Sequence, residues 1–412
     1  MSTPGIGTWL KLEKPKLQQL IDALRDSGYR VVGPQVQDEA IVLSDLGSVE
    51  QLPIGMIDEQ DGGYYRLRAD EEAGWFDFVV GPQSLKPFVL PPRETLLSLQ
   101  NTGTGWQVRT CHKTPSREQH IRASEAEGQV LLQASKTPEV DEPPVAVLGV
   151  RGCDLNALAI MDRVFLGGPY VDPRYQRRRE SLFLVGVHCR RAAPTCFCHS
   201  LHSGPALPAG FDLGLSELDE CFLVEVGSQA GARIAEQLDG EPPGHREIAR
   251  ARAATRALEQ RMKARKSATR SIDQGRWLDT HNIRQRLLGN LEDPRWDEVA
   301  ERCLACANCT MVCPTCFCTT VEEVADLSGE NVQRQRRWES CFTWEHSYTA
   351  AGPVHPDTKS RYRQWLTHKL ASWIDQFDTS GCVGCGRCIT WCPVGIDLTE
   401  EAAAIGKEST HV

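Results

Sequence analysis

Four cysteines, Cys303, Cys306, Cys309 and Cys313, stand at the spacing C-x2-C-x2-C-x3-C and are followed at once by Pro314. Cys382, Cys385, Cys388 and Cys392 repeat that spacing and are followed by Pro393. In this pattern three thiolates from one tight loop hold three corners of a [4Fe-4S] cube, and the fourth cysteine is sent to the cluster of another loop. With two such runs in one chain the expected ligand sets are crossed: Cys303, Cys306 and Cys309 with Cys392, and Cys382, Cys385 and Cys388 with Cys313. A structural zinc site is the competing reading. Zinc wants four ligands in a tetrahedron, commonly as two separated pairs or with histidines, and gives no reason for a proline-terminated quartet to occur twice. The chemistry implied is electron transfer.

Those two runs use eight of the 17 cysteines. Cys153 and Cys189 each close a short apolar run, and Cys196 and Cys198 follow as a Cys-x-Cys pair. Four thiols at one sheet edge would complete a further four-cysteine site, so a third [4Fe-4S] cluster on Cys153, Cys189, Cys196 and Cys198 is expected. Free cysteine otherwise behaves as a small buried hydrophobe, and that reading is preferred for Cys111 and Cys221. The string Pro194-Thr195-Cys196-Phe197-Cys198 recurs letter for letter as Pro314-Thr315-Cys316-Phe317-Cys318. With Cys341 nearby, Cys316 and Cys318 make only three thiols, one short of the usual set, and read as packing or ligand-supporting residues.

The elements that must position these thiols divide the chain into three stretches: an α/β domain over residues 1–225, a helical Arg-rich connector over 226–292, and a mostly α-helical ferredoxin domain over 293–412. Leu17, Leu20, Ile21 and Leu24 mark a helix by their spacing, and residues 30–32 and 40–43 have strand length. A β-rich portion is expected over 64–90, with Trp75, Phe76, Phe78, Val79 and Val80 running toward a turn at Gly81-Pro82. Continuous apolar runs at 145–150 and 182–187 suit parallel strands covered on both faces, with residues 155–165 as the crossover helix. In such sheets ligands bind at the carboxyl ends of strands, which is where both runs place a cysteine. Asp293-Pro294 starts a helix that delivers the first cysteine loop. Between the two cysteine runs, Tyr362, Trp365, Leu366, Leu370, Trp373 and Phe377 share one face of an amphipathic helix that would pack against the clusters as core.

Composition sets the compartment. The 412 residues allow two or three domains, and 41% hydrophobic residues suffice for real cores. No run is apolar enough for a membrane helix, and residues 1–15 lack the pattern of a secretory signal. So many cysteines without an export signal belong to a reducing compartment, by default the cytoplasm, where thiols serve metals. The net charge of −9 argues against general nucleic-acid binding. Residues 246–270 are the exception, with nine Lys or Arg against Glu247 and Glu259. They read either as a solvated helix face or as a docking surface for an acidic partner.

The chain resembles the iron-sulfur β subunit of sulfhydrogenases, cytoplasmic group 3 NiFe hydrogenases, and the similar A subunit of anaerobic sulfite reductase. The residues that carry this are Gly149-Val150-Arg151-Gly152-Cys153-Asp154, Asp162-Arg163-Val164-Phe165, residues 175–180, Gly186-Val187-His188-Cys189 with 194–198, residues 302–318, Trp338-Glu339-Ser340-Cys341 and 381–396. The pattern departs at Gly352-Pro353-Val354-His355-Pro356, where that family has a Gly-His-Asn type segment. The resemblance implies a subunit that carries electrons between a flavoprotein NAD(P)H subunit and NiFe hydrogenase small and large subunits, or sirohaem sulfite reductase subunits. Nothing on this chain resembles a NiFe or sirohaem ligand set, and no G-x-G-x-x-G follows a strand, so flavin or nicotinamide binding here is unsupported. A stand-alone iron-sulfur catalyst and a redox-sensing nucleic-acid binder are the readings from other classes. The first needs an open coordination position at the N-terminal cysteines, the second salt-sensitive binding through residues 246–270.

Overall fold

The computed structural model describes residues 5–109, 143–265 and 275–406. Strand β1 (Trp9–Glu13) leads into helix α1 (Leu17–Asp26), whose Leu17, Leu20, Ile21 and Leu24 are all buried on one face, as their spacing requires. Strands β2 (Arg30–Gln37) and β3 (Ala40–Asp45) form a hairpin turned by Asp38 and Glu39, both left-handed. A second hairpin, β4 (Met56–Asp61) with β5 (Tyr64–Ala69), stands apart from the main sheet. Short helix α2 (Lys86–Val89) precedes β6 (Arg93–Asn101) and β7 (Trp106–Arg109).

The expected strand pair comes next, as β8 (Val145–Val150), α3 (Gly152–Phe165), α4 (Pro173–Glu180) and β9 (Leu182–Val187). β8 and β9 pair in parallel, and every residue of β9 is buried, because helices and loops cover both faces. With β10 (Leu213–Glu217) and β11 (Cys221–Val226) they complete a seven-stranded sheet in the order β1-β11-β10-β9-β8-β2-β3. It is parallel from β2 to β10 and antiparallel at both edges. The carboxyl ends of β8 and β9 therefore open on the same side.

Helices α5 (Gln229–Ala235), α6 (His245–Ala264), α7 (Ile283–Leu288), α8 (Arg295–Arg302) and α9 (Asn308–Met311) follow. Asp293 accepts from the Arg295 amide at 2.8 Å and so opens α8. The stretch between the cysteine runs holds a β-hairpin as well as a helix: β12 (Thr319–Ala325) and β13 (Asn331–Trp338) join β6 and β7 in a four-stranded sheet. Ladder hydrogen bonds thus run between early and late parts of the chain. Glu94 of β6 pins the junction, bonding Arg174 and Arg178 of α4 and Arg336 of β13 at 3.2, 2.7 and 2.7 Å. The amphipathic helix is α10 (Thr358–Thr367) and α11 (Trp373–Phe377), joined without a break by one π-helical turn, His368–Ser372. Tyr362, Trp365, Leu366, Leu370 and Trp373 are buried along it. α12 (Arg387–Thr390) and α13 (Leu398–Ala404) close the fold.

One expectation is corrected. Residues 75–80 form no strand, although Phe76, Phe78, Val79 and Val80 are buried. Their backbone is satisfied by side chains instead of a ladder. Glu217 accepts from the Trp75 and Phe76 amides, Asp58 accepts from Val79, and Arg151 donates to the Phe76 and Phe78 carbonyls. An apolar run reports burial, and here burial came without pairing.

Candidate metal centres

α8 ends at Cys303, and the chain then turns through Ala305 and Ala307, both with positive φ, to reach Cys309 in α9. This compresses three thiols into one short loop. An apolar cavity is lined by Cys303, Cys306 and Cys309 together with Cys388 and Cys392 of the second run, and by Phe342, Tyr362 and Trp365. The Cys392 sulfur accepts from the Ile396 amide and Cys303 from Ala305, at 3.3 and 3.4 Å. Such N–H···S contacts are what tune a bound cluster. Cys306 is exposed, beside Leu304 at 63% and Val394 at 39% exposure, so this end of the site meets solvent.

Cys313 turns away from its own loop. Its sulfur lies 3.2 Å from both Thr315 Oγ1 and Lys369 Nζ, and Cys382, Cys385 and Cys388 all stand within electrostatic range of it. Gly384 donates to the Cys382 sulfur at 3.3 Å. Cys388 borders both sets, lining the first cavity while facing Cys382, Cys385 and Cys309. Burial pushes the Cys382 thiol up to about 12 against the partial relief of Lys369, so without iron it stays protonated at neutral pH.

The N-terminal four also come together. Cys153 sits in the first turn of α3, Cys189 follows β9, and Cys196 and Cys198 lie in the loop beyond. Cys196 faces Cys189, Cys198 faces Cys196 and Cys189, and Cys153 faces Cys198. Cys153, Cys196 and Cys198 are buried, and burial drives Cys196 to about 12. Arg265 at the end of α6 donates to the carbonyls of Ala192, Ala193 and Cys196, fixing this loop. Among the described residues no three His, Cys, Asp or Glu groups stand close enough to share one metal ion.

The second loop and the N-terminal loop are pressed together. Phe197 donates to the Gly384 carbonyl at 2.8 Å, and Ser203 bonds the Val383 carbonyl. Gly384 and Gly386 both have positive φ, and a Cβ would lie 2.6 Å from Phe197 backbone at the first and 2.5 Å from the Thr195 carbonyl at the second. Only glycine allows this approach. Buried Arg387 bonds Asp154 of α3 at 2.9 Å and the Gly81 carbonyl at 3.0 Å. Cys153, Cys196 and Cys198 are each in electrostatic range of Cys385.

Sequence reasoning missed the buried cations. Lys369 lies four residues after Trp365 and four before Trp373, on the apolar face of the helix, which was a readable signal; Lys86 and Arg387 offered none. Cys221 packs with Leu218, Leu223 and Ala251, while Cys111 lies outside the described residues. Of the Arg-rich run, Lys266 and Arg270 also lie outside them. Arg250 pairs with Asp219 and Glu220, Arg252 covers the Trp9 ring, and Arg265 supports the cysteine loop, so part of that charge is committed within the chain. None of the helices among the described residues is long and apolar enough to cross a membrane.

Comparison with known proteins gives two matches. Residues 302–396 match the family model of the 4Fe-4S dicluster domain, so such a domain is present in the C-terminal part. The chain is 34% identical over 288 residues to the sulfhydrogenase 2 β subunit of Pyrococcus furiosus, covering 69% of this chain and 80% of that protein. No solved structure matches.

Proposed function

Since the chain belongs to the family of sulfhydrogenase β subunits, we propose that it is the electron-transfer subunit of a cytoplasmic NiFe-hydrogenase-type complex. It passes electrons between a flavoprotein that handles NAD(P)H and the hydrogenase small and large subunits. Each four-iron cube, when bound, takes up and releases single electrons. The residues assigned to hold them are Cys303, Cys306, Cys309 and Cys392 for the first, Cys382, Cys385, Cys388 and Cys313 for the second, and Cys153, Cys189, Cys196 and Cys198 for a third.

The observation that carries this reading is that the three thiol sets adjoin one another. Cys153, Cys196 and Cys198 lie against Cys385, and Cys388 borders the cavity of the first set. That cavity also reaches solvent, at Cys306 and Leu304. The shared cavity and the Cys313 contacts support the crossed sets over two self-contained loops. Tyr362, Trp365 and Phe342 keep water from the first set, and Lys369 and Arg387 set positive charge beside the second.

Purification of the native complex, with identification of the chains that accompany this one, tests the proposal. A flavoprotein and a NiFe large subunit are the expected companions. A sirohaem protein in their place would reassign the chain to an anaerobic sulfite reductase, and no companion at all would overturn the subunit reading.

A further inference from the structure

The repeated Pro-Thr-Cys-Phe-Cys string clasps the second cysteine loop from two sides. Thr195 meets Gly386, and Thr315 Oγ1 donates to the Gly381 carbonyl at 2.7 Å. The first copy supplies Cys196 and Cys198 to the N-terminal set. In the second copy, Cys316 is in hydrogen-bond contact with Cys313, and Cys341, which follows β13, lies within electrostatic range of Cys318 and of Cys313.

Two lysines are buried beside these thiols, Lys86 at 3% and Lys369 at 5% exposure. Lys86 Nζ bonds the carbonyls of Thr310 and Met311 and lies 3.8 Å from the centre of the Trp338 ring. Lys369 Nζ bonds the Gly381 carbonyl, Thr315 Oγ1 and the Cys313 sulfur. Among the described residues neither has a carboxylate partner. A buried ammonium without a counter-charge is costly; Lys369 has the second-cluster thiols Cys313 and Cys382 beside it, whereas the sulfur that acts most strongly on Lys86 is Cys316. Both face Cys313, Cys316 and Cys318.

We propose that Cys316, Cys318 and Cys341 hold a further iron-sulfur cluster, a [4Fe-4S] cube on three thiolates whose fourth iron has no cysteine. The anionic cluster is the counter-charge that Lys86 lacks. Glu339, whose amide bonds the Cys318 carbonyl at 2.9 Å and whose carboxylate faces that thiol, would offer an oxygen to the open corner. With Cys309 in range of Cys341, the cluster would stand beside both C-terminal cubes.

The full chain, reconstituted anaerobically, is expected to bind about sixteen irons, four cubes' worth. C316S/C318S/C341S should lose about four of them, and C196S/C198S a different four. Failure of the N-terminal cluster alone would leave about twelve, with loss only in the first variant. An iron count unchanged by C316S/C318S/C341S overturns the proposal. Should that variant not fold, ferricyanide treatment of the wild type decides: a cube lacking one thiolate gives [3Fe-4S]+ and Fe2+, its electron passing to ferricyanide. One such paramagnetic cluster per chain is expected, and none would sink the idea.

Discussion

At the scale of single residues, the charge beside each sulfur sets how readily the adjoining iron accepts an electron. Lys369 Nζ lies 3.2 Å from the Cys313 sulfur in a buried setting, where a unit charge stabilises the more negative reduced state. Lys369→Met is expected to lower the potential of the second cluster by on the order of 50–100 mV, the equivalent of about 1–2 kcal/mol. Redox titration followed by paramagnetic resonance reads this, and a potential that stays put would mean the ammonium is screened. Cys313→Ala should strip the cluster of Cys382, Cys385 and Cys388 and spare that of Cys303, Cys306 and Cys309. The reverse selectivity would sink the crossed assignment. Burial pushes Cys196, Cys341 and Cys382 up to about 12. A raised thiol stays protonated until pH approaches that value, and iron takes only the thiolate, so each of these thiols would surrender a proton on binding iron. Iron uptake should therefore be favoured at about pH 8.5 over about pH 6.5, and equal uptake at both would contradict the buried-thiol ligands.

At the scale of elements, what decides is how close two loops come. Gly384 and Gly386 let the second cysteine loop lie on Thr195 and Phe197, and an added methyl at Gly384 would meet backbone on a φ of +62°. Gly384→Ala should cost about 1–3 kcal/mol and broaden or abolish the second-cluster signal before the first. Denaturation midpoints and resonance spectra together would show it; an intact signal at wild-type stability would mean the loops can part. Glu94 is the other element-level anchor, since one buried carboxylate serves three guanidinium groups from α4 and β13. Glu94→Ala strips Arg174 and Arg178 of that carboxylate, while Arg336 keeps Asp172, and is expected to cost about 3 kcal/mol, read from urea unfolding. Neither contact was legible in advance. Spacing located the cysteine loops, but a pleated edge and a close loop crossing depend on residues more than 180 positions apart.

At the scale of the molecule, the thiol sets depend on the whole chain. The N-terminal cysteines lie under the second loop, and β6 pairs with β13, so residues 1–225 alone would expose both an open sheet edge and an uncovered site. The proposed N-terminal cluster is therefore best sought in the full chain, where Cys196→Ser with Cys198→Ser should remove about four irons. Partner docking belongs to this scale too. Arg256 and Lys263 of α6 show no ion pair among the described residues, unlike Arg250. Changing both to Glu should slow assembly at low salt and flatten its salt dependence while leaving iron content alone. An unchanged association rate would return α6 to a solvated face.

The sequence by itself determined the cysteine spacing, the apolar runs of β8 and β9 and the amphipathic face of α10 and α11, because each is a local pattern of period or offset. It also carried the repeated Pro-Thr-Cys-Phe-Cys string, whose purpose it left open. Only the tertiary structure decided that residues 75–80 are buried without pairing, that a β-hairpin ties the cysteine domain to β6, and that Lys86, Lys369 and Arg387 stand beside the thiols. Those outcomes turn on which distant groups meet in a low-dielectric interior, where a buried charge or an unpaired amide must find its partner wherever the fold provides one.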